Sequence, residues 1–209
     1  MVIDQSTCIG CNFCTYACKA VNDTAPQIDW NYIFTGDFVI HSNENQEVFL
    51  PRPCMHCENA PCTKVCPVKA TYTRSDGIVM MDYEKCIGCR YCMVACPYSA
   101  RYFNWKEFTE RNPYVPDWGH PEVPRRSVGV VEKCTFCIHR IDGGLKRGLM
   151  PGKDLTATPA CVNICPTGAR IFGDLNDPES KVSKLLDSRS WIHLLEELGA
   201  EPRVYYLVR

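Results

Sequence analysis

The sequence has no apolar run long enough to cross a bilayer and almost no net charge, since 23 Lys and Arg face 24 Asp and Glu to leave −1. Met1-Val2-Ile3-Asp4 runs straight into the first cysteines, with no charged or apolar leader region, and the pair Arg125-Arg126 is internal. A chain soluble by itself is expected, with any membrane attachment made through a partner and no direct membrane span. The balanced charge leaves no electrostatic footprint for nucleic acid. No flavin fingerprint is present, which argues against a reductase acting alone.

Cysteine is abundant instead. The chain has sixteen, and they fall into four sets of four with none left over. Motif I is Cys8, Cys11, Cys14 and Cys18. Motif II is Cys54, Cys57, Cys62 and Cys66, followed by Pro67. Motif III is Cys86, Cys89, Cys92 and Cys96, followed by Pro97. Motif IV is Cys134 and Cys137, a long insertion, then Cys161, Cys165 and Pro166.

Motif III has the C-x2-C-x2-C-x3-C-P spacing of a [4Fe–4S] site, and the spacing has a mechanical reading. Three cysteines on a tight loop wrap three corners of one cubane. The fourth, three residues on, lies on a short helix and points to a neighbouring cluster, and the proline ends that helix. Four motifs then make two pairs with exchanged fourth ligands. An even cysteine count also suits disulfides, but those do not need this motif repeated. Zinc uses C-x2-C knuckles too, yet has no use for a third cysteine at x2 and a fourth before proline. With four clusters bound, the net charge becomes roughly −9, which favours basic partner surfaces.

Strand-like segments flank the motifs: Val2–Asp4, Ala70–Arg74, Ile78–Asp82 after the turn Ser75-Asp76-Gly77, Ala100–Phe103, Gly129–Glu132 and Ala169–Phe172. Motifs II and III are thus separated by one hairpin, as in a compact two-cluster unit. Pairing I with II and III with IV would need long insertions in both pairs. The expected ligand sets are Cys54, Cys57, Cys62 with Cys96, and Cys86, Cys89, Cys92 with Cys66. The outer pair is Cys8, Cys11, Cys14 with Cys165, and Cys134, Cys137, Cys161 with Cys18. The fold class is α+β, with two bacterial-ferredoxin-like 2[4Fe–4S] units carrying loop insertions and a C-terminal helical extension. Residues 1–50 plus 105–175 form the outer unit, 51–104 the inner unit and 176–209 the extension.

The first insertion carries a hairpin around Ser42–Asn45. The second, 104–127, is rich in proline and suits either a partner-facing loop or a coat over the core. The third interrupts motif IV with a helix near Ile138–Leu145. The extension is read as a helix led by Pro178 through Leu186, a second around Trp191–Leu198 and an extended tail. Small residues beside the cysteines (Gly10, Gly88, Ala95) allow close backbone approach to sulfur or simply serve the turns. Lys19, Lys64, Lys69, Lys85 and Lys133 lie near ligands and raise cluster potentials unless they are solvated. His56 and His139 adjoin cysteines, but sixteen thiols already fill four sites. Trp30, Trp105 and Trp118 suit partner anchors or core packing.

The stretches Cys54-Met55-His56-Cys57-Glu58-Asn59-Ala60-Pro61-Cys62, Val130–Cys137 and Pro159–Ala169 are the most specific. With four motifs in this order, about residues 1–175 resemble the electron-transfer subunit of the complex iron–sulfur molybdoenzymes, the dimethyl sulfoxide reductase family. Arg125-Arg126 and His139–Asp142 look like its polysulfide, tetrathionate and sulfite branch. Nitrate reductase subunits replace one ligand with tryptophan, and membrane-bound formate dehydrogenase subunits add a C-terminal membrane helix; neither feature is present. The resemblance implies a non-catalytic wire between a molybdopterin-containing catalytic subunit and a quinone-reactive integral membrane subunit. It also implies an order, with motif I nearest the catalytic subunit, then IV, II and III. Periplasmic placement by co-export and a cytoplasmic placement both agree with it.

Overall fold

The computed structural model describes residues 1–34 and 49–208, so the hairpin expected around Ser42–Asn45 lies outside the described residues. In chain order the elements are β1 (Val2–Asp4), α1 (Phe13–Asn22), β2 (Tyr32–Phe34), β3 (Leu50–Arg52), α2 (Pro61–Lys64), β4 (Thr71–Thr73) and β5 (Val79–Met81). There follow α3 (Tyr91–Val94), β6 (Tyr102–Phe103), β7 (Val131–Glu132), α4 (Ile138–Leu145), α5 (Ala160–Asn163), β8 (Arg170–Ile171), α6 (Lys181–Ser188), β9 (Trp191–Ile192) and β10 (Tyr205–Leu207).

Strands this short hold little by themselves, and each is fixed by a partner. β4 and β5 form the hairpin between motifs II and III, with Tyr72 opposite Met80. β6, leaving motif III, pairs antiparallel with β7, entering motif IV. The largest sheet has the order β8-β1-β10-β9. β1 runs antiparallel to β8 and parallel to β10, so the C-terminal strand lies beside the N-terminal one.

The alternation along β1 divides the packing, because successive side chains face opposite ways. Ile3 points into a core that also holds Met55, Val79, Val131 and buried cysteines of all four motifs. Val2 points the other way, onto Ile171, Val182 and Leu207 beneath α6. α6 begins at Lys181 because the Ser180 hydroxyl accepts the Ser183 N–H at 3.2 Å, a side-chain cap that Pro178 cannot supply.

The helix expected around Trp191–Leu198 is not formed. Trp191–Ile192 is strand β9, antiparallel to β10, and only Glu196–Leu198 turns as a 3-10 helix. A lone eight-residue helix is marginal in water, whereas pairing with β10 satisfies the backbone and buries Leu207.

The tail also reaches the motif II loop. Arg203 N–H donates to Met55 C=O at 2.9 Å, and Glu58 N–H donates to Glu201 C=O at 2.8 Å. The described part of the chain has no helix long and apolar enough to cross a membrane.

Candidate iron–sulfur cluster sites

The C-x2-C loops share one backbone solution. Their third residue has positive φ in every motif: Gly10 (66°), His56 (44°), Gly88 (69°) and Phe136 (54°). That conformation curls each loop so that its thiols face inward. Glycine adopts it freely, while His56 and Phe136 bear a steric cost. These two rings stack on each other, centroids 3.7 Å apart, where motif II meets motif IV. His56 Nδ1 accepts the Val79 N–H at 3.1 Å, and burial drives the imidazole strongly toward its neutral form. His139 lies elsewhere, its Nε2 2.9 Å from Glu122.

The fourth cysteines share a second solution. After Cys66, Cys96 and Cys165 the chain turns through the proline, with positive φ at Lys69, Ser99 and Gly168. The turn aims backbone N–H groups back at sulfur: from Thr71, Ala70 and Val68 to Cys66, from Ala100 and Tyr98 to Cys96, and from Arg170, Ala169 and Thr167 to Cys165. At Cys66 and Cys165 burial pushes the thiol up, but hydrogen bonds outweigh it and favour the thiolate, the Thr167 hydroxyl leading at Cys165 and the backbone N–H groups at Cys66.

The thiols group as follows. Cys8, Cys11, Cys14 and Cys165 line one concavity, with Ile33, Pro51 and Arg170. Cys66, Cys86, Cys89 and Cys92 line another, with Met81 and Val131. Cys18 is raised by burial and by the charges of Cys134, Cys137 and Cys161 around it. Cys57 is raised by burial and by Cys54, Cys62 and Cys96. Asn22 Nδ2 lies 3.6 Å from Cys18 Sγ and 3.7 Å from Cys137 Sγ, at the heart of its group.

Charge links the groups in sequence. Cys161 is pushed up to about 12 by burial, against the pull of Arg170, with Cys137 and Cys14 adding repulsion. Cys134 feels Cys54, and Cys92 feels Cys62. The line therefore runs from the motif I group through IV and II to III.

Two buried arginines inside this line escaped the sequence reading. Arg101 is 3 % exposed, and its guanidinium donates to Cys62 Sγ at 3.0 Å and to Thr71 Oγ1 at 3.1 Å. Arg170 is equally buried, 3.8 Å from Cys161 Sγ, and donates to Asn31 Oδ1. A repeat carries both: Cys96-Pro97-Tyr98-Ser99-Ala100-Arg101-Tyr102-Phe103 matches Cys165-Pro166-Thr167-Gly168-Ala169-Arg170-Ile171-Phe172. Lys133 is fully buried where groups II and IV meet, donating to the carbonyls of Val79 and Cys134. Lys19 is buried too, but is used up by Pro26 C=O, Ile28 C=O and Asp29. Lys64, Lys69 and Lys85 are exposed. Trp30 is a core residue whose Nε1 donates to Glu132 at 3.0 Å, whereas Trp105 and Trp118 are exposed.

All sixteen thiols are free. Among the described residues no group of three or more His, Cys, Asp or Glu side chains is arranged to hold a single metal ion. A tetrahedral zinc needs four sulfurs about 2.3 Å from one centre. Thiol-only donors in fours, served by backbone N–H groups, fit [4Fe–4S] clusters. Burying four thiolates together is costly without a cationic core between them, and an iron–sulfur core supplies one.

A family model described as a 4Fe-4S dicluster domain matches residues 45–112, and a second of the same description matches 7–70 and 85–169. The chain is 42 % identical to the menaquinone reductase iron–sulfur cluster-binding subunit of Nitratidesulfovibrio vulgaris, covering 100 % of this chain and 88 % of that one. It is 42 % identical to a subunit of the selenate reductase of Mesobacillus selenatarsenatis (99 % and 70 %). It is 40 % identical to a subunit of the tetrathionate reductase of Salmonella typhimurium (99 % and 71 %). The chain therefore belongs to the iron–sulfur, electron-transfer rather than catalytic, subunits of the dimethyl sulfoxide reductase family.

Proposed function

We propose that this chain relays single electrons through four [4Fe–4S] clusters, between a molybdopterin-containing catalytic subunit and a quinone-reactive integral membrane subunit. The ligand sets are Cys8, Cys11, Cys14 and Cys165; Cys134, Cys137, Cys161 and Cys18; Cys54, Cys57, Cys62 and Cys96; and Cys86, Cys89, Cys92 and Cys66. When bound, such clusters supply one-electron redox chemistry.

The continuous line of thiol groups carries this reading. Its two middle groups are the better shielded: Cys18, Cys134, Cys137, Cys161, Cys54, Cys57 and Cys62 are buried, and of their eight thiols only Cys96 is partly exposed. The end groups reach the surface through half-exposed Cys8 and Cys11 at one end and Cys86 and Cys89 at the other. Exposed apolar side chains flank each end, Ile9 and Phe13 beside motif I and Ile87, Tyr91 and Val94 beside motif III. Such surfaces suit protein partners. The family resemblance implies a catalytic subunit at the motif I end and a membrane subunit at the motif III end. The protein's share is to exclude water from the middle groups, fix the thiols and aim N–H donors at sulfur.

Metal analysis of the anaerobically purified chain, with EPR after dithionite reduction, tests the reading. About sixteen irons with interacting S = 1/2 signals are expected. Zinc without iron would defeat it, and about twelve to fifteen irons with an oxidised three-iron signal would reduce the count of complete cubanes.

A further inference from the structure

Each ferredoxin-like unit buries one arginine between its two thiol groups. In the inner unit Arg101 bonds Cys62 of the motif II group, and its charge also acts on Cys92 of the motif III group. In the outer unit Arg170 approaches Cys161 of the motif IV group, and its charge also acts on Cys14 of the motif I group. Neither guanidinium has a carboxylate partner among the ion pairs of the described residues. Their remaining acceptors are neutral: Thr71 Oγ1 and Met81 Sδ for Arg101, Asn31 Oδ1 and Met1 Sδ for Arg170.

An unpaired buried guanidinium is expensive unless negative charge lies beside it, and arginine does not shed its proton to escape the cost. Two thiol groups lie beside each one. The two arginines also occupy the same place in the C-P-x-x-A-R-x-F repeat, so the arrangement is built twice.

We propose that Arg101 and Arg170 are potential-setting residues, each a fixed countercharge shared by the two clusters of its unit that favours the reduced state of both. The inference rests on the four-cluster reading above. Each transfer moves one electron, oxidising one cluster and reducing its neighbour, and the arginine contributes charge without changing its own protonation. Coulomb energy falls as the inverse of distance, so the adjoining pair feels each arginine most.

The test is an EPR-monitored redox titration of the full, iron-loaded chain. In Arg101→Gln two of the four potentials should fall, each reduction equilibrium shifting about tenfold, or about 59 mV for one electron. Arg170→Gln should lower the complementary two, and Arg101→Lys should restore most of the loss. Asn31→Asp is a second route, since it places an isosteric carboxylate on Arg170 and cancels its charge with the guanidinium still in place. It should lower the same two potentials as Arg170→Gln.

Iron-replete variants with all four potentials unmoved would overturn the proposal, and so would four equal shifts. Loss of iron from Arg101→Gln, Arg170→Gln and Asn31→Asp alike would make the arginines assembly residues and also overturn it. A wild-type chain without about sixteen irons would instead defeat the four-cluster reading.

Discussion

Gly88 and Gly10 hold the same place in the loops of motifs III and I, yet their surroundings differ. A Cβ on Gly88 would run into the backbone carbonyl of Gly129, which cannot move without shifting the strand that enters motif IV. A Cβ on Gly10 would meet only the ring edge of Phe49, a side chain able to turn. Both positions have positive φ, so alanine is strained at each by about 1 kcal/mol or more. Gly88→Ala should therefore cost the motif III group its cluster, leaving about twelve irons by metal analysis, while Gly10→Ala retains more. Lys133 gives a second expectation at this scale. Methionine there leaves the carbonyls of Val79 and Cys134 without their donor, at about 1–3 kcal/mol for each unsatisfied group. The brown chromophore of Lys133→Met should bleach roughly tenfold faster or more in guanidinium than that of the wild type.

Among the elements, the proline-rich segment 104–127 behaves as a strap over the C-terminal end of α1. Asn112 Nδ2 donates to Lys19 C=O at 3.0 Å, Arg125 pairs with Asp23 at 2.7 Å, and Glu122 N–H donates to Val21 C=O at 3.0 Å. At its far edge the Glu122 carboxylate binds His139 and Arg140 of α4. Burial pushes this carboxyl up, but the His139 and Arg140 bonds outweigh it and bring it down to about 2. The folded value thus lies below that of free glutamate, about 4.3. Glu122's share of the strap's stability is complete above the free value and fades as the pH falls from there toward 2. Hydrogen exchange over 104–127, corrected for its intrinsic rate, should show Glu122→Gln losing protection at pH 7. The wild type should hold its protection until the pH falls below about 4.

For the whole molecule, the tail is the closing piece rather than an appendage. β10 lies between β1 and β9, Tyr206 is fully buried with its hydroxyl donating to Pro51 C=O at 2.9 Å, and residues 200–203 bind the motif II loop. Removing residues 204–209 takes out the centre of the sheet that carries β1 into motif I and β8 out of motif IV. The truncated chain should lose iron from the motif I and IV groups first, and retain about half the wild-type iron. Iron content with EPR spin counting reads this directly, and retention of all the iron would show that the sheet is dispensable.

Much of this was legible in one dimension because its causes are local. Cysteine spacing sets which thiols one loop can present together, and in the proposed ligand sets the cysteine three residues on serves the neighbouring group. The hairpin of β4 and β5, the helix Ile138–Leu145 and strand β1 follow from alternation and turn residues within a few positions of each other. Tertiary structure decided whatever depends on partners distant in sequence. Trp191–Ile192 became a strand because β10 was there to pair with it. Lys133 reads as one more lysine near a ligand until Val79, 54 residues earlier, is laid across it. Arg101 and Arg170 look like surface charge in a strand until the chain folds them between thiols distant in sequence, Cys14 among them for Arg170. Burial of a charge is a property of everything around it; the C-P-x-x-A-R-x-F repeat marks both arginines, but what surrounds them is set by the fold.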